Sequence, residues 1–297
     1  MANLKDIRTR IASVKSIQQV TGAMKMVSAA KLRKAQDAII QMRPYANKLT
    51  EILSIVSSNI DSDVDNKYAE RIDKKRILIV AIASNRGLCG GFNSNVVKKT
   101  TELITQVYAE YARQGKVDVI AIGKKAADGL KSKGIKVSKS FPGLYDAVNF
   151  KTVTEVSQSL MDGYTKGEYD HIELVYNQFK NAAVQNLVVE QFLPVKKAEI
   201  PASNSGKTGF RPWYIFEPSM QDIADKIIPQ SLRIQFYKAI LDSVASEHGA
   251  RMTAMHKATD NAGVLIRELS LQYNQARQAA ITNEILEIVS GANAQNS

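Results

Sequence analysis

The sequence contains few residues of the types that form disulfides, bind metals or cross membranes. Of its 297 residues, one is cysteine, Cys89, and three are histidine. A single cysteine excludes a disulfide framework and a CxxC zinc or redox pair, so we expect a reducing compartment and neither a metal nor another cofactor. The longest apolar run, residues 77–83, is much shorter than the roughly 18 residues of a membrane span. The first ten residues also lack the apolar core of a signal peptide, so export is not expected.

The positive charge of the chain is concentrated in its first fifty residues. The formal net charge is +11, and residues 1–50 hold ten Lys and Arg against two acidic residues, Asp6 and Asp37. From residue 218 to the end, seven basic residues face eight acidic ones. Such a one-sided excess favours an anionic partner, either protein or nucleic acid.

Residues 1–58 carry a heptad repeat of apolar and small side chains, which predicts one long helix. Only Gly22 and Pro44 interrupt the repeat. Because the register continues beyond Pro44, we expect this proline to bend the helix without ending it. The first row of the repeat is Ile7, Val14, Thr21, Ser28, Ala35, Met42, Leu49 and Val56, and the companion row is Leu4, Ile11, Leu32, Ile39, Ala46 and Leu53.

Residues 218–297 predict a second long helix. We expect it to begin near Ser219 with Asp222 in a capping box, to kink at Pro229 and to fray from Gly291 onward. His248 and His256 lie eight residues apart without a third ligand, so packing or solvent exposure is the default expectation for both. The apolar row of this helix is Leu241, Ala245, His248, Met252, Met255, Thr259, Ala262, Ile266, Leu269, Tyr273, Ala276 and Ala280.

The two long helices are expected to pair as an antiparallel coiled coil. Each has an apolar stripe too narrow to be buried by itself, and the chain must return to the first helix after the intervening segment. Small residues in the stripes let the backbones approach closely, so the pair should be a thin rod with the middle of the chain at one end.

Residues 74–195 show the alternation of strands and helices that is typical of a doubly wound, Rossmann-like α/β unit. Buried parallel strands are predicted at 76–83 and 117–122, and a third strand at 135–140. Helices are predicted at 95–113, 124–133 and 150–164, and a hairpin from 171–179 and 183–192. Residues 196–217 have no periodicity and are expected to form a surface loop.

Two motifs suggest nucleotide binding but lack required features. Residues 205–208, Ser-Gly-Lys-Thr, match the end of a P-loop, yet Pro201 stands where its first glycine is needed and no strand precedes it. Gly87, Gly90 and Gly91 follow the first strand without the GxGxxG spacing. A surface loop and a tight strand-to-helix turn explain the two motifs, and we expect Cys89 to be a packed residue.

Three segments together resemble the gamma subunit family of F-type ATP synthases. They are IASVKSIQQVTGAMKMVSAAKL at residues 11–32, RGLCGGFN at 86–93 and EHGARMTAMHKATDNA at 247–262. The resemblance runs essentially from end to end, with Gly22 where the family often has Lys and Asn85 where Asp is common. The dithiol insert of the chloroplast form is absent, so thiol control is not expected.

The resemblance implies a non-catalytic rotor shaft that couples ion-driven rotation of the membrane c-ring to ATP synthesis or hydrolysis. The implied partners are the alpha and beta subunits of the catalytic hexamer, epsilon, delta and the c-ring, with no nucleic acid. The implied location is the cytoplasmic face of a bacterial inner membrane, as a peripheral protein.

The resemblance also implies which residues contact partners. Met24, Lys25 and Met26 are expected to meet the lever region of a beta subunit, and Arg277, Gln278 and Thr282 to hydrogen-bond a beta subunit. The aromatic cluster at the start of the second helix is expected at the interface with epsilon and the c-ring, because aromatic side chains anchor contacts. Its residues are Trp213, Tyr214, Phe216 and Glu217.

The second helix should extend beyond the first by about 18 residues, or roughly 27 Å. We expect this overhang to be held inside the hexamer, because it is too apolar to stand in water. Its apolar residues are Ile281, Ile285, Leu286, Ile288 and Val289.

Two other classes of protein share part of this pattern but lack a feature that each would need. A coiled-coil nucleic-acid binder would use the same basic segment, but no stacking platform of aromatic residues accompanies it. A nucleotide-dependent enzyme would need a phosphate loop that the α/β segment lacks.

Overall fold

The computed structural model describes residues 4–59, 67–68, 76–146, 148–195, 217 and 220–295. The chain divides into two compact units. Unit 1 consists of Met1–Ala29 with Arg251–Ser297, and unit 2 consists of Ala30–Ala250. In the part of the chain described, no helix is long and apolar enough to cross a bilayer.

The elements alternate as the sequence predicts, between two very long helices. In chain order they are α1 (Leu4–Asn59), β1 (Ile77–Ile82), α2 (Phe92–Glu102), a π-helical turn (Leu103–Val107), α3 (Ala109–Arg113), β2 (Val117–Ile122), α4 (Lys124–Ser132), β3 (Lys139–Phe141), α5 (Gly143–Asp146), α6 (Phe150–Thr165), β4 (His171–Phe179), β5 (Gln185–Leu193) and α7 (Met220–Gln295).

Unit 1 is an antiparallel pair made by the first part of α1 and the last part of α7. Thr21 contacts Thr259, and Lys25 contacts His256. The residue numbers within these two pairs add to 280 and 281, so the helices run in opposite directions with one register. The heptad rows are confirmed here, because Ile7, Thr21 and Ser28 are buried.

Unit 2 is built on a five-stranded sheet of order β3-β2-β1-β4-β5. The first four strands in that order are parallel to their neighbours, and β5 runs antiparallel to β4 in the expected hairpin. All six residues of β1 are buried, because helices cover both faces of the sheet. The coiled coil with a central α/β unit is therefore confirmed as the fold class.

Alternate residues of β1 contribute to two separate cores. Leu78, Val80 and Ile82 pack with α6 and with the part of α7 that belongs to unit 2, where Phe236 is fully buried. Ile77, Ile79 and Ala81 pack with α2 and α4 on the other face. The segments of α1 and α7 in unit 2 thus belong to the same folded unit as the sheet.

Two glycines allow close packing in unit 2. Gly123 has a φ of +91°, and a Cβ there would lie 1.9 Å from the carbonyl oxygen of Ala83. Gly249 of α7 lies against the turn between β4 and β5, where a Cβ would lie 3.1 Å from the carbonyl oxygen of Ala182. A side chain at either position would meet backbone, which cannot rotate away.

Three expectations about secondary structure need correction, and one short helix is additional. The third strand is Lys139–Phe141 and not 135–140, and the helix expected at 95–113 contains the π-helical turn. The short α5 was not expected. The second long helix does not fray at Gly291, since it remains helical to Gln295. Most of the loop expected at 196–217, and its Ser-Gly-Lys-Thr motif, lie outside the described residues.

Candidate partner-contact sites

Polar residues occupy the middle of the paired helices in unit 1. Thr259 Oγ1 donates to Thr21 Oγ1 at 2.8 Å, and Thr21 Oγ1 donates to the carbonyl oxygen of Gln18 at 3.1 Å. Gln18 also packs against Gly263, where a Cβ would lie 3.3 Å from its amide nitrogen. A polar set inside an otherwise apolar contact favours one register of the two helices over others.

Lys25 lies at the next position of the companion row and forms a three-residue group with α7. Its Nζ is 3.3 Å from His256 Nδ1, and the same ring nitrogen is 3.4 Å from Asp260 Oδ2. The His256 side chain is 56% exposed, and the Asp260 side chain is 64% exposed. A cation expected to meet a beta subunit is therefore already held by this chain's own side chains.

The methionines beside Lys25 differ in their burial. Met24 is half-buried against the helix pair, while Met26 is 70% exposed. An apolar row that the heptad pattern does not reveal lies on the side of α1 and is made by the exposed Ile17, Val20 and Val27. Their spacing of three and seven residues was the available signal. With Met26 they give α1 an exposed apolar surface suited to partner contact.

The end of α7 extends beyond its partner helix. Continuing the observed register, Leu4 at the start of α1 lies opposite about position 277, and the described side chains from 277 to 291 are exposed. Arg277, Gln278 and Thr282 lie at the base of this overhang, where Thr282 Oγ1 donates to the carbonyl oxygen of Gln278 at 3.0 Å. The five apolar residues expected to need a partner are 47–67% exposed: Ile281, Ile285, Leu286, Ile288 and Val289.

The aromatic cluster proposed for the epsilon and c-ring interface falls largely outside the described part of the chain. Trp213, Tyr214 and Phe216 are among the residues that are not described. Glu217 is described, and it is an exposed residue in a bend shortly before α7 begins. The described residues therefore do not test whether this group forms one surface, and its place at the interface stays a prediction.

The glycine-rich turn after β1 is tied together by its own side chains. Ser84 Oγ donates to the carbonyl oxygen of Arg86 at 2.6 Å, and Asn93 Nδ2 donates to Cys89 Sγ at 3.2 Å. Leu88 adopts a positive φ of 64° and its side chain is 66% exposed. Cys89 is 1% exposed, which confirms that it is a packed residue.

A cavity of about 480 Å³ in unit 2 lies between α1, β5 and α7. Glu190 on its wall accepts hydrogen bonds from Tyr176 Oη at 2.5 Å and from Gln235 Nε2 at 2.8 Å. Burial is the main cause that raises the pKa of Tyr176, and the neighbouring Glu190 carboxylate raises it further. The phenol therefore stays protonated and donates its hydrogen bond. Burial also raises the pKa of Asp242 to about 6, although Lys238 lies near enough to oppose the shift.

Comparison with known proteins gives one consistent result. A family model described as ATP synthase matches residues 3–295. The ATP synthase gamma chain of Flavobacterium johnsoniae is 56% identical over 299 residues, covering all of both chains, and that of Flavobacterium psychrophilum is 54% identical over 296 residues, covering 99% of each. A chain from the structure of Euglena gracilis mitochondrial ATP synthase, OSCP/F1/c-ring, matches with a TM-score of 0.69 and 21% identity, covering 98% of this chain and 94% of that one.

The antiparallel helix pair, the five-stranded α/β unit and these matches define a non-catalytic central-stalk subunit of a rotary ATP synthase. The chain belongs to the ATP synthase gamma chain family. The family resemblance seen in its three sequence segments is thereby confirmed over the whole chain.

Proposed function

We propose that this subunit transmits torque to the beta subunits through two contact regions of unit 1. The first is the segment around Lys25 on α1, and the second is the polar group Arg277, Gln278 and Thr282 on α7. As the shaft turns, each beta subunit meets a different face of the helix pair. Differential contact with the conformations of beta is the only way that such a shaft can change their populations.

The observation that carries this proposal is the unequal surface of unit 1. The part of α1 in this unit exposes four basic residues against one acidic residue, Asp6, whereas α7 there exposes acidic and basic residues in similar number. The four basic residues are Lys5, Arg8, Arg10 and Lys15. A shaft with equal faces would present the same surface to all three catalytic sites. Because the positive charge lies mainly on one helix, the electrostatic interaction between the shaft and each beta subunit depends on the rotation angle.

The overhang of α7 supports a second role. Its exposed apolar side chains would cost free energy in water, so we place them inside the hexamer, against a surrounding apolar surface. The polar group at its base would then form and break hydrogen bonds with beta at each step. The polar group at the base of the overhang would thus transmit torque, and the apolar overhang beyond it would keep the helix centred in the hexamer.

The remaining partners follow from the family. We place unit 2 at the end of the complex that faces the membrane, in contact with epsilon and the c-ring, with delta present elsewhere in the assembly. Trp213, Tyr214, Phe216 and Glu217 are our candidates for that interface. The complex would hold the chain at the cytoplasmic face of the bacterial cell membrane, as a peripheral subunit.

The direct test of the first contact region is the charge reversal Lys25→Glu in the reconstituted, membrane-bound complex. We expect ion pumping per ATP hydrolysed to fall several-fold, because an acidic beta lever would now be repelled. Lys34→Glu is the matched control, since it reverses an exposed charge on the same helix but in unit 2, outside the charged surface of unit 1. Unchanged pumping per ATP in the Lys25→Glu complex would contradict the proposal.

A further inference from the structure

One ring nitrogen on α7 lies between two groups of opposite charge. His256 Nδ1 is 3.3 Å from the Lys25 ammonium nitrogen of α1 and 3.4 Å from the Asp260 carboxylate. The ammonium group can only donate a hydrogen bond, and the carboxylate can only accept one. Nδ1 must therefore lack a proton to bind Lys25, and must carry one to bind Asp260.

These two interactions are mutually exclusive, and the protonation state of the ring selects between them. In the neutral ring with its proton on Nε2, Nδ1 accepts from Lys25. In the imidazolium form both nitrogens carry protons, so Nδ1 donates to Asp260 and the ring repels the lysine. Each state satisfies one neighbour and releases the other.

We propose that His256 is a positioning residue for Lys25, holding the lysine against the helix pair when neutral and releasing it when protonated. This inference rests on the proposed contact between Lys25 and a beta subunit. The released ammonium can reach an acidic beta surface, whereas the held ammonium is already hydrogen-bonded.

The charged groups around the ring come from both helices of unit 1. Lys25 faces it from α1, and Asp260 faces it from the next turn of α7. Lys257, the neighbour of His256 in sequence, is exposed on α7. The nearby Thr21 and Thr259 hydroxyls are neutral and bonded to each other. Among these described neighbours, the charged groups in contact with the His256 ring are Lys25 and Asp260.

The local exchange is tested by nitrogen-15 NMR of the histidine rings in the full-length chain at pH 8.5. In the wild type we expect His256 to carry its proton on Nε2. In Lys25→Met the ammonium donor is gone, so Asp260 should draw the proton to Nδ1 and the tautomer should change. In Asp260→Asn it should stay on Nε2. An unchanged tautomer in Lys25→Met would overturn the inference.

The consequence for turnover is tested by the pH profile of ATPase activity in the reconstituted complex. His256→Asn places an amide oxygen near the position of Nδ1, so it can accept from Lys25 but cannot titrate. Because the released lysine is the one free to contact beta, we expect the wild-type rate to fall by about twofold less than the His256→Asn rate between pH 8 and pH 6, a size typical of an exposed ion pair. The control His248→Asn removes another α7 histidine and should keep the wild-type profile.

Failure of the positioning role of His256 and failure of the contact between Lys25 and beta give different results. Identical pH profiles for the wild type and His256→Asn would overturn the positioning role, even if the tautomer changes as expected. Failure of the underlying contact is read separately, from the pumping ratio of the Lys25→Glu complex at one fixed pH.

Discussion

Thr259 of α7 donates a hydrogen bond to Thr21 of α1 at 2.8 Å, across the helix pair of unit 1. Thr21 is only 9% exposed, and its own hydroxyl donates to the carbonyl oxygen of Gln18. Thr259 Oγ1 also lies 2.8 Å from the carbonyl oxygen of Met255, so each hydroxyl has a backbone acceptor on its own helix besides its partner across the pair. Shifting one helix along the other by a residue would break the hydrogen bond that crosses the pair, so this contact contributes to the register of the two helices.

Removing both members of this pair should cost less than the sum of the two single removals. Thr21→Val or Thr259→Val removes the hydrogen bond across the pair, while the remaining hydroxyl keeps its backbone acceptor on its own helix. We expect each variant to lower the free energy of unfolding by about 1 kcal/mol. The double variant replaces both hydroxyls by methyl groups and should lose less than the sum of the single variants. Urea unfolding followed by circular dichroism measures the free energies of the wild type, the two single variants and the double variant. If the two single losses add up to the loss in the double variant, the two hydroxyls do not interact and the prediction is contradicted.

A side chain at Gly123 should be much less tolerated than one at Gly134. Both glycines have a positive φ, of +91° and +75°, but a Cβ at Gly123 would lie 1.9 Å from the Ala83 carbonyl oxygen, while nothing lies within 4 Å at Gly134. Gly134→Ala should cost about 1–2 kcal/mol of unfolding free energy through its backbone conformation alone. Gly123→Ala should cost over twice as much or prevent folding, as measured by soluble yield and urea unfolding. Equal effects would contradict the clash.

The long helices were predictable because their signal is repeated many times, whereas short elements depend on contacts distant in sequence. The heptad rows extend over tens of residues, so Pro44 and Pro229 could interrupt them without hiding the pattern. The strand β3 has only three residues, none of them buried, and exists because it pairs with β2. Gly291 has open space around it and no positive φ, so nothing there ends the helix.

The π-helical turn before Tyr108 also had no signal in the sequence. Tyr108 Oη donates to Glu173 Oε1 at 2.7 Å, and burial together with this hydrogen bond raises the pKa of Tyr108. The partner lies 65 positions away on β4. The contact group around Lys25 shows the same limit, because sequence reasoning identified the lysine through its motif but could not assign His256 to it.

Asp242 is expected to make the stability of unit 2 depend on pH. Burial raises its pKa to about 6, while an unfolded aspartate titrates near 3.9. The folded state therefore binds this proton more tightly, and stability is lost as the pH rises from about 4 to about 6. Asp242→Asn should be more stable than the wild type by about 2–3 kcal/mol at pH 7 and no more stable at pH 3.5.

Urea unfolding at the two pH values measures this difference. The exposed Asp128 on α4 provides the control, and Asp128→Asn should change stability little at either pH. A stabilisation by Asp242→Asn that is equal at pH 3.5 and pH 7 would show that protonation of this carboxyl is not its cause.

The base of the α7 overhang should matter more for turnover than the end of the chain. Combined replacement Gln278→Ala and Thr282→Ala should lower the ATPase rate of the reconstituted hexamer several-fold, because the proposed hydrogen bonds with beta would be lost. Deletion of residues 292–297 should change it by less than twofold, since it spares the five apolar residues of the overhang. The reverse order of effects would contradict the assigned roles.

The central claim, that unit 1 must turn relative to the beta subunits, is tested most directly by a reversible covalent tether. Met26→Cys introduces a 70% exposed thiol, and the native Cys89 is buried, so a photoactivated probe with a reducible linker can be attached at position 26. Irradiation should join the chain to a beta subunit and abolish multiple-turnover ATP hydrolysis, and reduction of the linker should restore it. Full hydrolysis by the tethered complex would contradict the account.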